Sequence, residues 1–150
     1  MFKCSLHRSE DAEILARIHA ACFAESWNVA EMASWLAMPA VVAVAAFEGS
    51  AATGFILALA AADQAEILTF GVDPARQRQG IGRALLGALE VEMARRGARS
   101  LYLDAAEDNA AALALYRSAG FAEATRRRNY YIRQGDPADA IVMVKSLGID

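Results

Sequence analysis

No stretch of this sequence approaches the roughly 18 uninterrupted apolar residues of a membrane span, although 56% of its residues are hydrophobic. Much of the excess is alanine, which packs helices tightly and needs no membrane. The run PAVVAVAAF (39–47) has the length of a buried strand. The N-terminal MFKCSLHRSED carries no apolar segment after its lysine, so it is not a secretory signal, and a cytoplasmic location is expected. Cysteine is scarce. Cys4 and Cys22 stand in unrelated contexts without metal-like spacing and read as buried thiols rather than a disulfide. His7 and His19 lack partner spacing too, so no metal is expected. A net charge of −3 argues against direct nucleic-acid binding. No repeat, linker or low-complexity tract interrupts the 150 residues, a length that predicts one domain, 1–150, able to bury its own core.

The hydrophobic pattern resolves into an alternation of strands and helices. Residues 2–7 alternate as an opening strand. SEDAEILARIHAACF (9–23) places Ile14, Leu15, Ile18 and Cys22 on one face of a helix, with Ser9 as its cap. NVAEMASWLAM (28–38) offers Asn28 and Glu31 as a capping pair for a second. Strands follow over 40–47 and 53–61, around EGSAA, and over 65–72, which Asp73-Pro74 ends. Gly80 to Arg96 reads as a helix closed by Gly97. Residues 100–105 form a strand, and 109–120 a helix capped by Asn109 and ended by Gly120. Residues 121–131 and 139–146 pair as final strands around RQGDP. The order β-α-α-β-β-β-α-β-α-β-β predicts an α/β (mixed-sheet) fold, with 65–72 parallel to 100–105 because a full helix joins them.

The segment RQRQGIGRALL (76–86) is a basic, glycine-punctuated turn running into a helix. Gly80 and Gly82 let backbone amides approach a ligand. The helix start favours an anion, and Arg76, Arg78 and Arg83 add positive charge, so a diphosphate is a natural guest. A P-loop is excluded, since no lysine followed by serine or threonine comes after the second glycine. The dinucleotide pattern fails because Leu85 stands where its third glycine belongs. On the glycines alone, a turn bearing solvated arginines remains an equal alternative.

The run VDPARQRQGIGRALL resembles the acetyl-CoA pyrophosphate loop of the Gcn5-related N-acetyltransferases (the GNAT family), with Gln77-Arg78-Gln79-Gly80-Ile81-Gly82 on its Q/R-x-x-G-x-G/A pattern. NAAALALYRSAGF (109–121) resembles that family's N-x-x-A-x-x-L-Y-x-x-x-G-F signature, in the expected order. RRRNYYIRQGDPADAIVM (126–143) resembles the ending of its protein N-terminal acetyltransferases. The RimI-type branch, which acetylates the N-terminal alanine of a small-subunit ribosomal protein, carries the R-R-N-Y-Y seen at 127–131. CFAESWNVAEM departs from that branch's Phe-Pro-Trp loop by two extra residues and a missing proline.

The resemblance implies a GNAT fold whose splayed parallel strands hold acetyl-CoA, and direct attack of an amine on the thioester in a ternary complex. It places cofactor contacts at Phe70, Gly71, Val72, Arg78, Gln79, Gly80, Ile81, Gly82, Arg83 and Asn109, with a bulge at Gly71 and the Val72 amide facing the developing oxyanion. Tyr116 matches the tyrosine that faces the thioester sulfur as the acid. Asp104 stands where RimI-like chains carry a glutamate base, and Glu66 on the neighbouring strand is its rival. Tyr130 and Tyr131 are expected to line the peptide channel, on opposite faces by strand alternation, with Phe23 and Trp27 as further pocket residues. Arg126 to Arg128 read as a solvated face. Two alternatives stay open: a small-molecule amine as acceptor, and an acyl-CoA-binding regulatory domain without turnover.

Overall fold

The computed structural model describes residues 2–133 and 136–148; residues 134 and 135 of the expected last turn lie outside them. The strands are β1 (Lys3–His7), β2 (Val41–Glu48), β3 (Ala51–Ala61), β4 (Gln64–Val72), β5 (Ser100–Ala106), β6 (Ala122–Arg133) and β7 (Asp136–Ser146). The helices are α1 (Ala12–Cys22), α2 (Val29–Leu36), α3 (Ile81–Arg95) and α4 (Ala110–Ser118). The strands make one mixed sheet in the order β1-β2-β3-β4-β5-β7-β6; among the described residues β4 and β5 are the parallel pair and the other neighbours run antiparallel.

The apolar run of β2 is explained by helices on both faces. Val41, Ala43 and Ala45, with Phe55 and Leu57 of β3, meet Leu15 and Ile18 of α1 and Met32 and Leu36 of α2. Val42, Val44 and Ala46, with Ile56 and Ala58, meet Leu85, Leu86 and Leu89 of α3. A strand buried on both sides has no polar face to alternate. On the α1–α2 side, Tyr102 and Asp104 of β5 and Val142 of β7 instead border an open depression.

Most helix ends fall where the caps predicted. Asn28 and Glu31 form the reciprocal box, Glu31 N–H donating to Asn28 Oδ1 at 2.8 Å and Asn28 N–H to Glu31 Oε1 at 2.9 Å. Asn109 Oδ1 accepts from Ala112 N–H at 3.2 Å. Ser9 does not cap α1. It opens a 3₁₀ turn, Ser9–Asp11, and α1 starts at Ala12. Asp11, at the N-cap of α1, makes no side-chain bond into that helix; its carboxylate lies 2.9 Å from His7 Nδ1 and accepts the Arg8 N–H at 3.5 Å.

Candidate active site

A gap in the sheet sets the site. The parallel pairing of β4 with β5 is confined to Gln64–Ser100, Ala65–Leu101 and Glu66–Tyr102. Beyond it the strands diverge. Leu57 pairs with Thr69 and Ala58 with Ile67, so Leu68 is an extra residue that bends β4 away from its neighbour. The expected bulge at Gly71 is therefore misplaced: Gly71 pairs in register with Phe55. It is glycine for room, since a Cβ there would lie 3.0 Å from Cys22 Sγ and 3.1 Å from the Phe55 ring. Asp73 N–H donates to Thr53 O at 2.8 Å. By the alternation of an antiparallel ladder, Gly71 also faces β3, while Phe70 and Val72 turn their amides toward the gap.

The glycine turn closes one side of that gap. Arg78 and Gly80 both hold left-handed backbone, φ +67° and +82°, and Gly80 is the N-cap of α3. This conformation leaves the first N–H groups of the helix free, the arrangement that receives an anion. A cleft of about 530 Å³ runs from the turn along β4 to α4. It is lined by nine of the ten expected cofactor residues, together with Gln77, Leu115 and Tyr116. Gln79 is the exception and is exposed. Gly82 is needed for packing as well as approach, because a Cβ there would lie 3.3 Å from Leu115 of α4. Arg83 donates to Ser118 Oγ at 2.5 Å, joining α3 to α4 at the cleft rim. Arg76 is paired with Glu48 and does not line the cleft, so its expected share in the anion site is corrected.

A second cleft, about 580 Å³, opens from the other face and shares Phe70, Asn109, Ala112 and Tyr116 with the first. Tyr116 is half-buried between the Phe70 and Phe121 rings, 6.1 and 5.9 Å away. Burial, aided by Tyr131, pushes its phenol up to about 12. Asp104 reaches this second cleft from β5. Glu66 does not: it is exposed, in the depression beside the cleft. Arg127 Nη1 lies 4.0 Å from Asp104 Oδ2.

The outer walls come from the segment after α1 and from β6. Phe23, Ala24 and Glu25 line one side and Tyr131 the other. Trp27 does not line the cleft. It stacks on His19 at 4.9 Å and on Trp35 at 5.6 Å, behind the wall. Tyr130 is 52% exposed, with Arg127 over its ring at 5.3 Å. The expected placement of the two tyrosines on opposite faces is corrected: a bulge interrupts the alternation, and their rings meet edge to face at 5.2 Å. Arg127 pairs with Ala140 and Tyr131 with Ala138, so residues 128–130 all face Asp139. Asn129 there has φ +51°, and its N–H donates to Asp139 Oδ1 at 2.8 Å. Arg126 Nη1 donates to Asp139 Oδ2 at 3.1 Å, and Asp139 N–H to Glu107 Oε2 at 2.5 Å. The Asn129 amide, and then Arg126, hold the Asp139 carboxyl below its usual range. Arg126 and Arg127 are thus engaged with carboxylates, which corrects the reading of 126–128 as a merely solvated face.

His19, Thr69, Arg127 and Asp139 border or brace the cleft walls and were not among the expected site residues. Asp139 carried a signal, its pairing with Ala140 after the Tyr-Tyr motif. His19 and Thr69 meet across 50 positions of chain and carried none. Cys4 and Cys22 are free and half-buried rather than buried. Among the described residues, no three or more His, Cys, Asp or Glu gather to hold a metal, and no helix is long and apolar enough to cross a membrane.

The model of the acetyltransferase (GNAT) family matches residues 12–121. The ribosomal protein bS18-alanine N-acetyltransferase of Escherichia coli K12 is 52% identical over 81 residues, 54% of this chain. That stretch spans 55%, about half, of the relative's own length. The N-alpha-acetyltransferase RimI of Mycobacterium tuberculosis is 40% identical over 144 residues, covering 92% of this chain and 88% of that protein. The crystal structure of the ribosomal-protein-S18-alanine N-acetyltransferase from Escherichia coli superposes with a TM-score of 0.91. It is 34% identical, covering 100% of this chain and 96% of that one. Arabidopsis thaliana NAA60, in complex with a bisubstrate analogue, shares the fold at 21% identity, over 97% of this chain and 98% of its own, with a TM-score of 0.81.

Proposed function

The chain belongs to the GNAT family of acetyltransferases, and on that premise we propose that it moves an acetyl group from acetyl-CoA to the N-terminal amine of a protein. The first residue of the acceptor is alanine, and the acceptor is a small-subunit ribosomal protein, as the names of its relatives suggest. Residues 1–150 act as one catalytic domain. The observation that carries this reading is the meeting of two clefts at Tyr116. One is lined by the free start of α3, the other holds Asp104 between Phe23 and Tyr131.

Bound acetyl-CoA supplies an activated carbonyl and a thiolate leaving group. The amides of the turn at Arg78–Gly82 take its diphosphate, with Arg78 and Arg83 alongside. Asn109, already the cap of α4, borders the arm that runs up the gap. The Val72 amide, turned toward the gap, donates to the carbonyl oxygen as negative charge develops there. Asp104 receives the proton that the incoming ammonium must shed, with a water as the bridge. An N-terminal amine of pKa roughly 7.7–8.0 needs only this modest help near neutrality. The nitrogen–carbon bond forms, the carbon–sulfur bond breaks, and the second proton of the attacking nitrogen leaves to solvent as the amide forms.

Tyr116 faces the departing sulfur. Its phenol, at about 12, stays protonated at any working pH. Full transfer to a thiolate of ordinary thiol pKa, about 8.5, is uphill by roughly 5 kcal/mol. Tyr116 therefore acts by donating a hydrogen bond that carries the charge on sulfur, and the thiolate takes its proton from solvent. Phe23 and Tyr131 shape the mouth and limit water around the amine. The test is incubation of ribosomal proteins with the enzyme and acetyl-CoA, followed by intact-mass and fragment analysis. One acetyl on an N-terminal alanine is expected. Modification confined to lysine side chains contradicts the reading.

A further inference from the structure

The segment between α1 and α2 is folded around a single side chain. His19 is 3% exposed, in the last turn of α1. Its carbonyl accepts the Phe23 N–H at 3.0 Å, where the segment begins. Its ring Nδ1 accepts the Trp27 N–H at 3.2 Å, where the segment ends. Nδ1 therefore carries no proton, Nε2 does, and Nε2 donates to Thr69 Oγ1 at 3.2 Å. Thr69 sits on β4 beside the Leu68 bulge and lines the cleft that holds Asp104 and Tyr116. The ring stacks on Trp27 and lies 4.8 Å from Phe23 and 5.3 Å from Phe55.

We infer that His19 is a positioning residue for the acceptor: it clasps the 23–27 segment to β4 and so sets the distance between the Phe23 wall and the catalytic gap. Three features make this more than core packing. The imidazole uses both ring nitrogens, one on each side of the cleft wall. Its partners belong to two separate elements, the segment after α1 and the open part of β4, which these two hydrogen bonds tie together. And the wall it fixes, Phe23 to Glu25, is exposed and has no strand or helix of its own to hold it. Burial keeps the ring neutral against the opposing pull of Glu31, which suits a nitrogen that must accept. A segment so held is preorganised, and loss of the clasp is felt when the acceptor binds. The diphosphate end of the site, on the other side of β4, is not touched.

The inference rests on the acceptor cleft proposed above, and the experiment separates the two. Three variants are compared with wild type: His19→Phe, which keeps the ring and its stacking but deletes both hydrogen bonds; His19→Gln, which offers one acceptor and one donor; and Thr69→Val, which cuts the β4 end alone. For an alanine-starting peptide, His19→Phe is expected to raise the acceptor KM about tenfold, the scale of one to two neutral hydrogen bonds. Its kcat and acetyl-CoA Kd should stay within about twofold, on the same scale. His19→Gln should recover most of the loss, and Thr69→Val should show part of it. Hydrogen exchange at the Trp27 amide, measured without any substrate, should speed up in His19→Phe and not in His19→Gln. An unchanged acceptor KM and unchanged Trp27 exchange in folded His19→Phe overturn the inference. So does an equal loss of acetyl-CoA affinity. If wild-type enzyme acetylates no peptide, the proposed function falls, and the exchange result still decides whether the clasp exists.

Discussion

Replacing Tyr116 by phenylalanine removes one oxygen and leaves the ring between Phe70 and Phe121. The fold should therefore survive, with a stability change below about 1.5 kcal/mol, the net worth of a lost hydrogen bond. The catalytic effect follows from the raised phenol. A group at about 12 gives up no proton to a thiolate, but it donates a hydrogen bond to one. A hydrogen bond to a charged partner is worth about 1.5–3 kcal/mol, so kcat should fall by roughly 10- to 150-fold. That lies at the low end of the range of roughly 10²–10⁴ typical of full general acid–base catalysis. Because the phenol does not titrate until about 12, no alkaline limb assignable to Tyr116 should appear in the kcat profile between pH 6 and about 10. Thiol release under saturating acetyl-CoA gives kcat, and calorimetry gives cofactor affinity, which should hold. Near-native turnover returns Tyr116 to a packing role. A loss well beyond 10³, together with an alkaline limb that vanishes in the variant, means that Tyr116 transfers its proton outright, and the hydrogen-bond argument fails.

Asp104→Asn should lower kcat/KM about tenfold at pH 7, the order of the neutral-amine deficit there, with the defect shrinking above pH 8 as the amine deprotonates unaided; Asp104→Glu should be tolerated. Glu66→Gln should matter little, since Glu66 lies outside the cleft that holds Tyr116; the opposite pattern in the same pH series moves the base to β4. Gly80→Leu should cost about 1–2 kcal/mol through its positive φ with no clash inside the chain, yet weaken acetyl-CoA binding strongly, as thermal unfolding and calorimetry on one sample would show. Glu92 is buried, and its carboxyl is held down to about 2, first by hydrogen bonds from Arg95 and Arg96. It therefore adds stability above its ordinary 4.5 that drains away as pH falls toward 2, and Glu92→Gln should flatten that acid limb in urea melts.

What was legible in the sequence was local. The capping pair Asn28–Glu31, the Asn109 cap and the glycine-ended helices are decided within one turn of chain, and each falls where the residues place it. The apolar run of β2 announced burial on both faces. The glycine turn pointed to an anion because helix starts and left-handed backbone are short-range physics. The rest depended on distant partners. Nothing near Leu68 marks it as the extra residue; the bulge exists because β3 and β4 change register there. Strand β7 inserts between β5 and β6, a choice among pairings that no single strand encodes. Trp27 reads as a pocket aromatic, but His19 and Trp35 draw it inward. The arginines at 126 and 127 read as solvated until Asp139 and Asp104 are found across the sheet.

The central claim is that the cleft beside Asp104 takes the N-terminal amine of a protein. Initial rates with acetyl-CoA should be compared across three acceptors: an alanine-starting ribosomal peptide, the same peptide blocked at its N-terminus but carrying a free lysine, and spermidine. The account predicts a kcat/KM for the free alanine terminus at least about 100-fold above either competitor, with the acetyl group found on the terminal nitrogen. Faster acetylation of the lysine peptide or of spermidine would contradict it.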